Sequence, residues 1–91
     1  MSNPVWTVEF SESARKTFAS LTLADRQRIA KYVTSRLEPC LAPEKLGKAL
    51  SGRFIGYWRF RVGDYRLIVK IVKGRMYIVI VEISHRSKVY R

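Results

Sequence analysis

Among its 91 residues the chain has one cysteine, one histidine and only seven acidic side chains, and each shortage removes a class of protein. Cys40 has no partner within the chain, so a disulfide framework and a cysteine-based metal site are both excluded, which fits a reducing compartment such as the cytoplasm. With His85 as the lone imidazole no zinc shell can be assembled, and Asp64 with Glu82 is too little for a hard-cation cluster. Hydrolysis by paired carboxylates fails for the same reason. Apolar runs are strand-length and broken by charge, so no transmembrane helix is expected. The opening Met1-Ser2-Asn3-Pro4 lacks the basic and then apolar pattern of a secretory signal. Gly63 and Gly74 fall at expected hairpin turns rather than ahead of a helix, so they do not form a phosphate-cradling loop. Neither a metal nor another cofactor is expected.

What the chain has in excess is positive charge. Eighteen Lys and Arg against seven Asp and Glu give a net +11. Such a charge speeds encounter with polyanions and makes their binding steeply salt-dependent, which points to RNA, DNA or an acidic protein as partner. The length and the 47% apolar content allow one core and no second, so residues 1–91 form a single domain.

The hydrophobic pattern predicts an α+β fold. Residues 5–10 alternate after Pro4 and read as a strand. Ser11 is a good N-cap ahead of Glu12, and Ala14, Phe18 and Leu21 share a stripe, which predicts a helix over 12–20. Thr22 with Asp25 resembles a capping box, and Ile29, Val33 and Leu37 recur four apart until Pro39, which predicts a second helix over 23–37. Joined by almost nothing, the two should form an antiparallel hairpin. Pro39, Pro43, Gly47 and Gly52 mark an irregular connection with at most one helical turn. Strands are then expected over 53–62, 65–72 and 76–83, separated by Val62-Gly63-Asp64 and Lys73-Gly74 turns. A strand, a helix hairpin and a three-strand antiparallel meander should make one sheet with helices on one face, leaving the other for function.

Placement of the cations sharpens that expectation. Strand alternation sends Tyr57, Arg59 and Arg61 to one face and Trp58, Phe60 and Val62 to the other. Guanidinium groups offer forked donors to phosphate oxygens and planes that stack on bases, while phenol rings add stacking surface, so the face suits single-stranded RNA. The candidate set is Tyr57, Arg59, Arg61, Arg66, Lys70, His85, Arg86, Lys88 and Tyr90. RNA carries its own nucleophile, the 2′-hydroxyl, so positioning and fixed positive charge can accelerate cleavage without a metal or carboxylate. A lone imidazole or a phenol in a cationic field can serve for the proton transfers.

Two segments, Tyr57-Trp58-Arg59-Phe60-Arg61-Val62-Gly63-Asp64-Tyr65-Arg66 and His85-Arg86-Ser87-Lys88-Val89-Tyr90, resemble motifs of the RelE/ParE toxin superfamily of type II toxin–antitoxin systems. The first segment carries the fold more than the activity, and the second resembles the ribosome-dependent RelE branch. That resemblance implies a RelE-like, microbial-ribonuclease-type fold. It also implies an mRNA interferase that enters the A site of the 30S ribosomal subunit, against 16S rRNA, and inhibits translation. The codon would be cleaved by 2′-hydroxyl attack. The implied roles are phosphate contact for Arg66, protonation of the leaving group for Arg86 and positioning of the nucleotide for Tyr90, with Arg59 and His85 completing the catalytic set. Tyr57, Arg61, Lys70 and Lys88 would bind RNA. In the best-studied form of the family two lysines stand one residue apart ahead of the Arg66 position, where this chain has Tyr57 and Arg59; a guanidinium is a poor proton acceptor, which leaves Tyr57, His85 or no protein group as the base. The implied partners are mRNA, the ribosome and a cognate acidic RelB-like antitoxin, with operator DNA met only through the antitoxin. The alternative is a ParE-like toxin that binds and inhibits DNA gyrase without hydrolysis.

Overall fold

The computed structural model describes residues 5–86. Chain order is β1 (Thr7–Phe10), α1 (Glu12–Ser20), α2 (Leu23–Tyr32), β2 (Lys48–Ala49), β3 (Trp58–Val62), β4 (Tyr65–Val72) and β5 (Tyr77–His85). The five strands form one sheet in the order β1-β5-β4-β3-β2. Pairing is antiparallel except for β1, which lies parallel to β5 with Thr7 opposite Tyr77 and Phe10 opposite Ile80. The α+β class and the helices on one face are as expected.

Local chemistry starts each helix where the sequence indicates. The Ser11 hydroxyl accepts the Ala14 amide at 3.0 Å and donates to the Val81 carbonyl at 3.0 Å, so one cap also fixes α1 to the sheet. Thr22 accepts the Asp25 amide at 3.2 Å to begin α2. Arg26 of α2 then reaches back, its guanidinium donating to the Leu21 carbonyl at 2.9 Å, which closes the helix hairpin.

The expected second helix is interrupted in kind rather than in length. After Tyr32 it widens into a π turn over Val33–Leu37, closed by the Glu38 amide donating to the Val33 carbonyl at 2.9 Å. Val33 and Leu37 stay buried. The Glu38 carbonyl accepts the amides of Val5 and Trp6, and the Trp6 indole donates to the Cys40 carbonyl at 2.7 Å, so the segment before β1 clamps the helix end.

Several strand limits differ from expectation. The first strand begins at Thr7 rather than at residue 5 and the last at Tyr77 rather than at 76. The strand expected over 53–62 begins only at Trp58, because Gly52–Phe54 forms a 3-10 turn and Gly56 takes a φ of 93°, which breaks extended backbone. The last strand runs to His85 rather than to residue 83, held at its end by the Arg86 amide donating to the Asp64 carbonyl at 2.7 Å. The connection before β3 holds a 3-10 turn, Pro43–Leu46, and the two-residue β2, which pairs Lys48 with Arg59.

The core lies between the sheet and the helices. Phe60, Leu67, Val69, Ile78 and Ile80 are fully buried against Ala14, Ile29 and Leu37, with Trp6, Val62 and Ile83 almost so. Each large side chain contributes about 1.5–3 kcal/mol on burial.

Candidate nucleic-acid interface

Strand register builds the opposite face in rungs. Arg61 of β3 stands across from Arg66 of β4, which stands across from Ser84 of β5. One rung along, Arg59 pairs with Ile68 and Ile68 with Glu82, and Lys48 of β2 flanks Arg59. Lys70 lies on this face a further rung away, opposite Val79. Phe60 and Val62 point into the core while Arg61 is exposed, so the expected alternation holds over Trp58–Val62, whereas Tyr57 lies ahead of the strand.

Three properties set this face apart. Two guanidinium groups directly opposed across a ladder repel, an arrangement that weakens a sheet by about 0.2–1 kcal/mol. The Nε of Arg66 is buried and has no hydrogen-bond partner among the described residues, so a charged donor is held without an acceptor. Ile68 is also 1% exposed although it lies outside the main core, so the floor between Arg59 and Glu82 is apolar and the cations stand around it.

Beside these rungs a cleft of 420 Å³ opens between the sheet and the segment leading into β2, lined by Lys45, Leu46, Gly47, Lys48, Arg59 and Arg61. Gly47 makes the close approach possible. A Cβ there would fall 1.9 Å from the Phe60 ring and 2.6 Å from the Arg59 carbonyl, so no other residue fits without displacing the strand. Lys45 and Lys48 were not among the expected residues, because nothing local in the sequence shows that their segment folds onto β3.

The remaining candidates separate. The register sets His85 opposite Tyr65, and Tyr65 opposite Val62, which puts His85 on the helix side of the sheet and not with Arg59, Arg61 and Arg66. Its ring meets Tyr65 edge to face at 5.2 Å. The Tyr65 hydroxyl donates to Asp25 of α2 at 2.9 Å, and that bond raises the phenol's pKa above its ordinary value. Counting alternation back from the apolar Ile83 would have revealed the face of His85. Arg86 is brought to the same end of the sheet as Arg61 and Arg66, its guanidinium 3.5 Å from Asp64 in the β3–β4 turn. Tyr57 immediately precedes β3, half-buried, with its ring edge-on to Phe54 at 6.4 Å. Lys88 and Tyr90 lie outside the described residues.

Among the described residues no three His, Cys, Asp or Glu side chains come together as metal ligands, and no helix is long and apolar enough to cross a membrane.

Fold and face together are those of a toxin of the RelE/ParE superfamily. Residues 6–90 match the family described as ParE toxin of type II toxin-antitoxin system, parDE, and the chain belongs to that family. It is similar to Toxin RelG of Mycobacterium tuberculosis, 28% identical over 86 residues that cover 94% of this chain and 97% of the relative. Among solved structures it resembles the toxin–antitoxin complex RelBE2 of the same organism, with a TM-score of 0.81, 27% identity and coverage of 92% of this chain and 100% of that one. The isolated RelE toxin of E. coli shares the fold at a TM-score of 0.70 and 16% identity, covering 88% of this chain and 83% of that one. The protein is therefore a toxin of a type II toxin–antitoxin system.

Proposed function

We propose that this toxin is a ribosome-dependent endoribonuclease that cuts mRNA in the A site, as the RelE-like branch of the family does. The observation that carries the reading is the Arg61–Arg66 rung, which sets two arginines directly across from each other on the open face, where their forked donors can grip one phosphate. Similarity to a RelE complex at 27% identity supports the same branch.

In this reading the 2′-hydroxyl of one nucleotide attacks the adjacent phosphorus, forming a 2′,3′-cyclic phosphate as the bond to the 5′-oxygen breaks. The phosphorane gains negative charge as it forms, and Arg59, Arg61 and Arg66 stabilise that charge. Arg86 serves the leaving 5′-oxygen, and Tyr90 positions the base. Proton removal from the 2′-hydroxyl falls to Tyr57 or to solvent, since the register turns His85 to the far side of the sheet. With no protein base in an optimal place, in-line orientation by the ribosome supplies much of the rate. Lys70 adds a phosphate contact at the margin, and Lys88 is a further candidate for binding RNA.

The neutralising partner is an antitoxin, as in the RelBE2 complex of M. tuberculosis and the RelE-RelB complex of Pyrococcus horikoshii. An acidic antitoxin meets a chain of net charge +11 with complementary charge. A second reading, inhibition of DNA gyrase, is favoured by the name of the matching family alone. The two are separated with ribosomes programmed by an mRNA carrying one 2′-deoxy nucleotide in the A-site codon. The interferase cuts the all-ribose message and not the substituted one. Equal cutting of both, or of neither alongside inhibited supercoiling, removes the interferase reading.

A further inference from the structure

The basic surface does not end at Arg61. On the far side of that residue a second groove, 370 Å³, runs between α2 and the β3–β4 turn, lined by Arg28, Lys31, Tyr32, Arg36, Gly63 and Arg61 itself, with Ser35 and Val62 completing it. Arg61 is thus a wall common to both clefts. Arg28, Lys31, Arg36 and Arg61 are all exposed, and among the described residues no carboxylate lines the groove.

Its construction is specific. Gly63 turns the chain at a φ of 59°, and its missing side chain makes room for Arg28, whose terminal nitrogen lies 2.9 Å from where a Cβ would be. The Arg28 guanidinium is therefore laid over the tip of the β3–β4 hairpin. Arg36 sits 6.0 Å above the Tyr32 ring, a cation held over an aromatic face at the groove's other end. Burial raises the Tyr32 phenol above its ordinary pKa, so it stays neutral and able to donate.

We infer that this groove is a second RNA phosphodiester subsite, which grips backbone beyond the nucleotide held at Arg59, Arg61 and Arg66. The inference rests on the RNA reading of the first cleft. Charge with an aromatic ring, and no exposed large apolar side chain among the described residues that line it, is what a polynucleotide backbone requires. An amphipathic protein helix would need apolar anchors, but the exposed Leu23, Leu41, Ile55 and Met76 do not line the groove. The RNA held there is either the continuation of the strand in the first cleft or a separate strand, and both present the same chemistry.

The test is binding rather than cutting. Fluorescence anisotropy with uncleavable 2′-O-methyl RNA of about four and about twelve nucleotides is measured across a salt series for the wild type, an Arg28→Gln/Lys31→Gln/Arg36→Gln variant and Lys31→Gln alone. For the longer RNA the triple variant should bind about tenfold or more weakly, with the slope of log K against log salt reduced by about 2, and the single variant should lose about 0.7 of that slope. If one strand spans both clefts, the four-nucleotide RNA binds once and the triple variant leaves it unchanged. If the strands are separate, it binds twice to wild type and once to the variant. Unchanged affinity and slope at both lengths overturns the inference. So does loss of binding to a poly-glutamate peptide while RNA binding is untouched, which would assign the groove to a protein partner. Since nothing is cleaved, a protein that binds in this way yet never cuts ribosomal mRNA defeats the interferase reading and leaves the second subsite standing.

Discussion

The two faces of the sheet are made by the same strands and alternate residues, yet one is closed and the other charged. Phe60, Leu67 and Ile80 are fully buried on the helix side, while Arg59, Arg61 and Arg66 hold the open side around one buried Ile68. In the proposed function, stability and binding belong to different side chains one residue apart. A change on one face should leave the property of the other nearly untouched, and that separation can be attacked from both sides.

The largest break is expected on the closed face. Phe60→Ala leaves a cavity beneath the helices and should cost about 3–5 kcal/mol in denaturant unfolding. Its neighbour Arg61→Ala should stay within about 0.5 kcal/mol of wild type in the same measurement. On the open face, Arg66→Ala should lower the cleavage rate on programmed ribosomes by about 10²–10³, the usual effect of deleting one charge-stabilising donor, with unfolding unchanged or slightly improved by relief of the Arg61–Arg66 repulsion. Gly47→Ala is the one substitution expected to cross the divide. Its Cβ would overlap the Phe60 ring and crowd the Arg59 carbonyl, pushing its segment off the strand that carries Arg59 and Arg61, costing about 1–3 kcal/mol or more and weakening RNA binding together. A smaller loss, about 1 kcal/mol, is expected for Ser11→Ala, read by thermal melting, because the α1 cap and its tie to Val81 disappear with one hydroxyl.

The smallest effect lies in the pH dependence. Each face carries one phenol bound to a carboxylate: Tyr65 to Asp25 on the helix side and Tyr77 to Glu9 on the other. Both phenols have folded pKa values raised above the unfolded value, chiefly by those bonds. Their contribution is therefore complete below about pH 10 and lost as pH rises through the folded value. Glu44 behaves oppositely. Its hydrogen bond and ion pair with Lys73, at 2.5 Å, hold its pKa below the usual range, so its contribution is complete above the unfolded value and lost as pH falls through the folded one. Chemical denaturation across pH should show a shallower alkaline decline for Tyr65→Phe and a shallower acid decline for Glu44→Gln.

The parts of this arrangement that repeat locally are legible in the sequence. The caps at Ser11 and Thr22 start both helices where expected, and α1 spans Glu12–Ser20 as the pattern predicts. The period of two over Trp58–Val62 separates core from cations, because alternation is a property of the backbone itself. What stays hidden depends on contacts between distant segments. The parallel pairing of β1 with β5 brings together residues about seventy positions apart, and nothing near Thr7 or Tyr77 specifies it. The π turn at Val33–Leu37 ends where the Val5 and Trp6 amides meet the Glu38 carbonyl, a contact between distant segments that sequence periodicity does not see. The late start of the strand expected from residue 53 is signalled by Gly52 and Gly56, both at positive φ. In the site, Arg59, Arg61 and Arg66 are found because they share adjoining strands, whereas Lys45 and Lys48 reach the same region from the turn and short strand before β3, and Arg28, Lys31 and Arg36 from α2 and the π turn after it.

The central claim is that the open face, and Arg66 in particular, cleaves RNA on the ribosome. Primer-extension mapping of mRNA 5′ ends on purified translating ribosomes, with wild type and with Arg66→Ala of equal melting temperature, tests it most directly. The account predicts new ends at in-frame A-site codons with wild type, none on naked mRNA, and ends appearing about 10²–10³ times more slowly with the variant. No new ends with folded wild-type protein, or the same ends at the wild-type rate with Arg66→Ala, would contradict it.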